Sequence, residues 1–250
     1  MSKRNPKLRN RTFHNDGLLS RHAVKPEGSL PSSAGSTKSA SLLTAPVNSS
    51  LPSETPNDIS TPESALRALM EGNRRFANGK PTASNRDIGR VRQVANEQKP
   101  FAAFLGCADS RVPIEIIFDQ GFGDLFVTRI AGNVASSENI GSLEFGTQIL
   151  GAKVLYVLGH TQCGAVTATM RGTDVPGQIS GLFQHIRPAV KAAGGDLDKA
   201  ILENVRNQAI LLAEASPVIS KMVQRQELIV AGGIYDLTTG IVSEVDIPVL

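Results

Sequence analysis

The sequence predicts an α/β fold: a mainly parallel central sheet flanked by helices, with an antiparallel edge strand and an N-terminal helical arm. Three observations predict it. Short apolar runs of strand length alternate with longer stretches of helical period, as in a parallel sheet covered on both faces. Two cysteine-bearing segments, Gly106-Cys107-Ala108-Asp109-Ser110-Arg111 and Gly159-His160-Thr161-Gln162-Cys163-Gly164, each follow directly on such a run. A turn over Asp236–Gly240 precedes the last run, which suits a returning edge strand.

The elements follow in order. Thr61-Pro62-Glu63-Ser64 opens a helix with a capping Thr, Pro in the first turn and an early acid. Leu66, Leu69, Met70 and Phe76 give it one apolar face, and Gly79 and Pro81 end it. Phe101–Leu105 reads as a buried strand and Asp124–Ile130 as the next. Glu138–Leu150 is expected to be helical and Lys153–Leu158 a strand. Helices are expected at 164–170, 178–193 and 197–213, a strand at Glu227–Ala231 and the edge strand at Gly240–Val245.

Residues 1–60 stand apart. They are rich in Ser, Pro, Asn and Thr, and carry eight Lys/Arg against four Asp/Glu. Such a segment buries too little apolar surface to offset its ordering entropy, and is read as a disordered basic tail, leaving 61–250 as the folded domain. The remainder carries 18 Lys/Arg against 19 Asp/Glu, which argues against a nucleic-acid-binding domain. No apolar run reaches the roughly 18 residues of a membrane-spanning helix. The basic start lacks the apolar stretch of a signal peptide, so a cytoplasmic location is expected; export or an organelle through the tail is the alternative. With no Trp and few aromatics, core volume is expected from Leu, Ile, Val, Ala and Phe.

Ligands in parallel sheets bind beyond the carboxyl ends of the strands, where both cysteine motifs are expected. Cys107, Asp109, His160 and Cys163 then form a candidate zinc set, since zinc takes thiolate, imidazole and carboxylate in tetrahedral geometry. Other readings of the same residues stay open. Cys107 suits a core position, His160 a satisfied core histidine, Asp109 a turn cap and Arg111 a surface charge. The two cysteines also suit one disulfide in an oxidising compartment.

Cys107-Ala108-Asp109-Ser110-Arg111, followed by Gly159-His160-Thr161-Gln162-Cys163-Gly164, resembles the signature pair of the β-carbonic anhydrases. The resemblance covers about residues 62–245 and includes Glu71-Gly72-Asn73-Arg74-Arg75-Phe76 and Tyr235-Asp236-x-x-x-Gly240. It implies reversible hydration of carbon dioxide to bicarbonate and a proton by zinc-bound hydroxide. By position, Cys107, His160 and Cys163 match the zinc ligands, and Asp109 and Arg111 the catalytic dyad. In some members the aspartate takes the fourth zinc position in a closed state. Gln98, Phe126, Ala131, Phe145 and Gly164 match substrate-pocket positions. Gln98 and Phe126 lean towards the plant-type, constitutively open subgroup, although Ala131 stands where that subgroup often has Val and Phe145 where it often has Tyr. The family also implies a homodimer or higher homo-oligomer, with N-terminal helices embracing the partner; the helix at 62–78 would serve for this or cover its own sheet. Two other activities fit the motifs: hydrolysis of carbonyl sulfide or carbon disulfide on the same scaffold, and a non-catalytic zinc scaffold.

Overall fold

The computed structural model describes residues 59–248. Most of the tail read from the sequence lies outside them. Helix α1 (Pro62–Ala77) begins in a reciprocal capping box: the Thr61 hydroxyl accepts from the Ser64 amide at 3.2 Å, and Ser64 Oγ accepts from the Thr61 amide at 3.0 Å. The remaining elements are α2 (Ile88–Gln93), β1 (Ala102–Gly106), α3 (Ile114–Ile117), β2 (Leu125–Arg129) and α4 (Ser137–Glu144). A π-helical turn follows at Phe145–Ile149. After it come β3 (Val154–His160), α5 (Gly164–Arg171), α6 (Ile179–Ala193), α7 (Leu197–Ala215), α8 (Pro217–Gln224), β4 (Ile229–Tyr235) and β5 (Val242–Val245).

The strands form one sheet in the order β2-β1-β3-β4-β5. The first four are parallel, and β5 returns antiparallel on β4. Period-two alternation sorts the core into two faces. Ala102 and Phe104 of β1, with Val154, Tyr156 and Leu158 of β3, meet Ala65 and Leu69 of α1 and Ile114, Ile117 and Phe118. Helix α1 therefore covers its own sheet. Ala103, Leu105, Leu155 and Val157 face the other way, against Val205, Ala209 and Leu212 of α7 and Ile219 and Met222 of α8. A third cluster, at the carboxyl ends of the strands, packs Val134, Val166, Ile186 and Ile201 around Cys107 and Cys163. The chain leaves β1 for β2 on one side and returns to β3 on the other. The crevice where β1 and β3 end is thus a topological switch point, the usual ligand site of such sheets.

The structure corrects several boundaries. Strands β3 and β4 run to His160 and Tyr235, past the expected ends at Leu158 and Ala231, because they stay paired to their last residues. The stretch Glu138–Leu150 is not one α-helix: it turns π-helical at Phe145. Helices α2, α3 and α8 have no counterpart in the sequence reading. Ser216-Pro217 does signal α8, since Ser216 Oγ accepts from the Ile219 amide at 3.1 Å and Pro217 takes the first position. Tyr156 adds to the expected core residues: fully buried, its ring lies 5.4 Å from Phe104 and 5.6 Å from Phe118.

One buried carboxylate ties α1 to the loop before β2. Asp119 accepts from Arg75 Nε at 2.7 Å, from the Thr82 amide at 2.8 Å and from the Ala83 amide at 2.9 Å. Burial alone would raise its pKa; these donors more than offset that and hold it at about 2. An unfolded-state aspartate titrates near ~3.9. The folded value is the lower one, so the stabilisation is complete above the unfolded pKa and is lost as pH falls towards the folded one. Asp119→Asn is expected to cost roughly 2–3 kcal/mol at pH 7, as breaking a largely buried charged network does. In urea unfolding, the gap between the variant and the parent chain should narrow as pH falls from about 5 to about 2. A gap independent of pH would show that the carboxylate charge is not what stabilises.

Candidate active site

Cys107 follows the last residue of β1 in a turn clamped from β2. Arg129 Nε donates to the Cys107 carbonyl at 3.0 Å, and Arg129 Nη2 to the Asp109 carbonyl at 2.6 Å. The Val112 amide closes the turn on the Asp109 carbonyl at 3.0 Å. The Gly132 amide donates to Cys107 Sγ at 3.3 Å. His160 ends β3, and the next amide, that of Thr161, bonds the Tyr235 carbonyl at 3.0 Å. Gln162 turns the chain with a φ of 55°, so that Cys163 caps the N-terminus of α5.

These turns bring three ligand atoms together. Cys107 Sγ, Cys163 Sγ and a ring nitrogen of His160 lie within 4.8 Å of one another, all buried. Both cysteines are free thiols, so the disulfide alternative is not the arrangement seen. His160 Nδ1 lies 2.9 Å from the Thr161 carbonyl, which fixes the tautomer with the proton on Nδ1. Nε2 is left buried with no hydrogen-bond partner. A buried polar nitrogen without a partner is costly. Beside two thiols, it has the form of a metal ligand, with the backbone carbonyl as the orienting group on the other nitrogen. A ligand set of two sulfurs and one nitrogen suits zinc, at about 2.3 Å from sulfur and 2.0–2.1 Å from nitrogen.

The two sulfurs lie close enough for the thiols to share a proton. Donation from Cys163 pushes Cys107 down, against burial, with His160 and the Gly132 amide adding to the effect. Cys163 is pushed up by that same hydrogen bond and by burial, while the amides of Val166 and Ala165, at the start of α5, pull the other way. A divalent cation would take the place of that proton and stabilise both sulfurs as thiolates.

Asp109 and Arg111 stand at the rim. Arg111 Nε donates to Asp109 Oδ1 at 2.9 Å and Nη2 to Oδ2 at 2.8 Å, a two-pronged pair that the Arg111 amide reinforces at 2.9 Å. The Arg111 guanidinium holds the Asp109 carboxyl well below the usual carboxylate range. Asp109 Oδ2 lies 3.8 Å from His160 Nε2, while both of its oxygens are engaged by Arg111.

The expected pocket residues divide. Ala131 adjoins Gly132, and Gly164 opens α5 next to Cys163. Phe126 of β2 pairs with Phe145, ring centroids 6.2 Å apart, and Phe145 is 47% exposed. Gln98 is exposed on the segment before β1. Phe126 packs against the core cluster under α7 and α8 rather than the one around Cys107 and Cys163. Arg129 and Gly132 escaped the sequence reading; the only signal for Arg129 is a charge closing an otherwise apolar strand.

The comparisons with known proteins decide the family. A carbonic anhydrase family model matches residues 102–242, more than half of the chain. Carbonic anhydrase 2 of Mycobacterium tuberculosis is 37% identical over 187 residues, covering 72% of this chain and 90% of that protein. This chain belongs to the β-carbonic anhydrase family. A Coccomyxa β-carbonic anhydrase solved in complex with acetazolamide is 29% identical, with a TM-score of 0.56 over 72% of this chain and 85% of that one. A tetrameric β-carbonic anhydrase from Sordaria macrospora shares the fold, with a TM-score of 0.59 at 21% identity over 72% of this chain and 95% of that one. The comparisons assign the β-carbonic anhydrase family without distinguishing the plant-type subgroup.

Proposed function

We propose that the chain catalyses the reversible hydration of carbon dioxide to bicarbonate and a proton, with zinc held by Cys107, His160 and Cys163. The observation that carries this is the unpartnered, buried Nε2 of His160 beside two free, buried thiols, with an aspartate–arginine pair at the rim. Zinc held by three protein ligands would keep an open position and supply a bound water of lowered pKa, about 7 in the hydratases with three histidine ligands. The rest falls to the chain. Asp109, kept ionised by Arg111, accepts a hydrogen bond from the attacking O–H and so points its lone pair at the carbon of carbon dioxide. Arg111 would also keep the carboxylate off a bound metal, because it engages both of its oxygens. Val134 and Val166, packed around the cysteines, give the unreactive, apolar substrate an apolar wall.

The working unit in this reading is a homodimer or a larger homo-oligomer. Strand β2 forms an open sheet edge, and Phe122, Phe145 and Ile149 are 50%, 47% and 67% exposed. Apolar side chains of this size seek cover. A second copy there would complete the pocket around Phe126, Phe145 and Gln98.

Metal exchange tests the proposal. Chelation should abolish hydration activity, and added zinc should restore it in proportion, up to one ion per chain. Undiminished activity in the metal-free protein would exclude the reading.

A further inference from the structure

Helix α7 carries two buried carboxamides one turn apart, Asn204 and Gln208, 1% and 2% exposed. Buried amides are costly unless bonded, so their partners are informative. Asn204 Nδ2 donates to the Gly132 carbonyl at 2.9 Å. Gln208 Oε1 accepts from the Ala135 amide at 2.8 Å. Gln208 Nε2 reaches the His185 carbonyl of α6 at 3.3 Å and Asn204 Oδ1 at 3.5 Å. Two linked side chains thus hold Gly132–Ala135 at both ends.

That segment needs holding. Gly132 and Asn133 both have positive φ, 76° and 43°, in succession. A left-handed non-glycine residue is strained and persists only where its surroundings impose it. Gly132 has the widest backbone freedom of any residue type, and its amide is the one that bonds Cys107 Sγ. Its space is closed as well: a Cβ there would lie 2.7 Å from Ile186 Cδ1. Fixing the Gly132 carbonyl fixes ψ at that residue and, with the packing, the direction of its N–H.

We propose that Asn204, supported by Gln208, is a positioning residue for the Cys107 thiolate, acting through the Gly132 amide. Asn204 touches neither metal nor substrate. It aims one N–H at the sulfur, which sets the orientation of the ligand and tempers its donation to the cation. The inference rests on the zinc reading above.

The test uses the whole chain and three readouts: thermal unfolding without metal, zinc affinity by chelator competition, and the thiolate-to-cobalt charge-transfer band of the cobalt-substituted protein. Asn204→Leu removes the donor at similar volume; Asn204→Ser, too short to reach and milder on the core, serves should the first not fold. The control is Asn73→Leu. Asn73 is an equally buried amide beneath the other sheet face, bonded to the Ile117 and Gly240 carbonyls at 3.2 and 3.0 Å. All variants should lose thermal stability. Only the Asn204 variants should bind zinc about 10–100-fold more weakly, the usual effect of losing an outer-shell partner, and shift the cobalt band. Metal readouts equal to those of the parent chain, or moved equally by Asn73→Leu, would overturn the positioning role. A parent chain that binds no zinc overturns the zinc reading itself, before any variant is compared.

Discussion

Cys163→Ser is expected to lose its metal and with it essentially all hydration activity. Structural zinc sites with four protein ligands bind with about 10–16 kcal/mol of free energy, so one ligand contributes roughly 3–4 kcal/mol. Losing that much weakens affinity by about 10²–10³-fold. A serine hydroxyl stays protonated at neutral pH and does not replace a thiolate. The fold should survive: Cys163 also acts through its backbone, its carbonyl accepting from Thr167 Oγ1 at 2.9 Å, and serine is a good helix cap in that position. Zinc per chain after dialysis, alongside circular dichroism, reads both parts. Full zinc occupancy in the variant would remove Cys163 from the ligand set.

Asp109→Asn should separate binding from chemistry. The variant is expected to keep its zinc, because Asp109 stands outside the close-set group of Cys107, His160 and Cys163. It should lose about 10²–10³-fold in kcat/KM, the usual scale for removing one positioned polar group from a reacting centre. Asparagine keeps the shape but turns an acceptor into a donor and ends the two-pronged ion pair with Arg111 at 2.8 and 2.9 Å. Arg111→Lys should fall between the two, since an ammonium keeps the charge without the forked geometry. Unchanged hydration in Asp109→Asn, with zinc present, would take Asp109 out of the mechanism.

Much of this was legible in the sequence, for physical reasons. Parallel strands are buried on both faces and read as continuous apolar runs, which is why β1 and β3 stood out. The proposed ligands sit at the ends of those runs, so strand position alone placed Cys107 and His160 near each other. The four-residue α3 is too short for periodicity to register, and the π-helical turn keeps the apolar content of an ordinary helix. Arg129, Gly132 and Asn204 act through backbone carbonyls and amides, or through geometry far away in sequence. A lone Arg, Gly or Asn carries no mark of such a role. In the oligomer we propose, a second copy would cover Phe126, Phe145 and Gln98, and contacts of that kind are not readable from one chain.

The most direct test of the central claim is stopped-flow hydration of carbon dioxide by the zinc-loaded protein, from mildly acidic to alkaline pH. The expected result is a fast rate that rises with pH through a single titration at or somewhat above ~7, since two thiolates donate more charge to zinc than histidines do. No hydration above background at any pH, with one zinc per chain, would contradict the account.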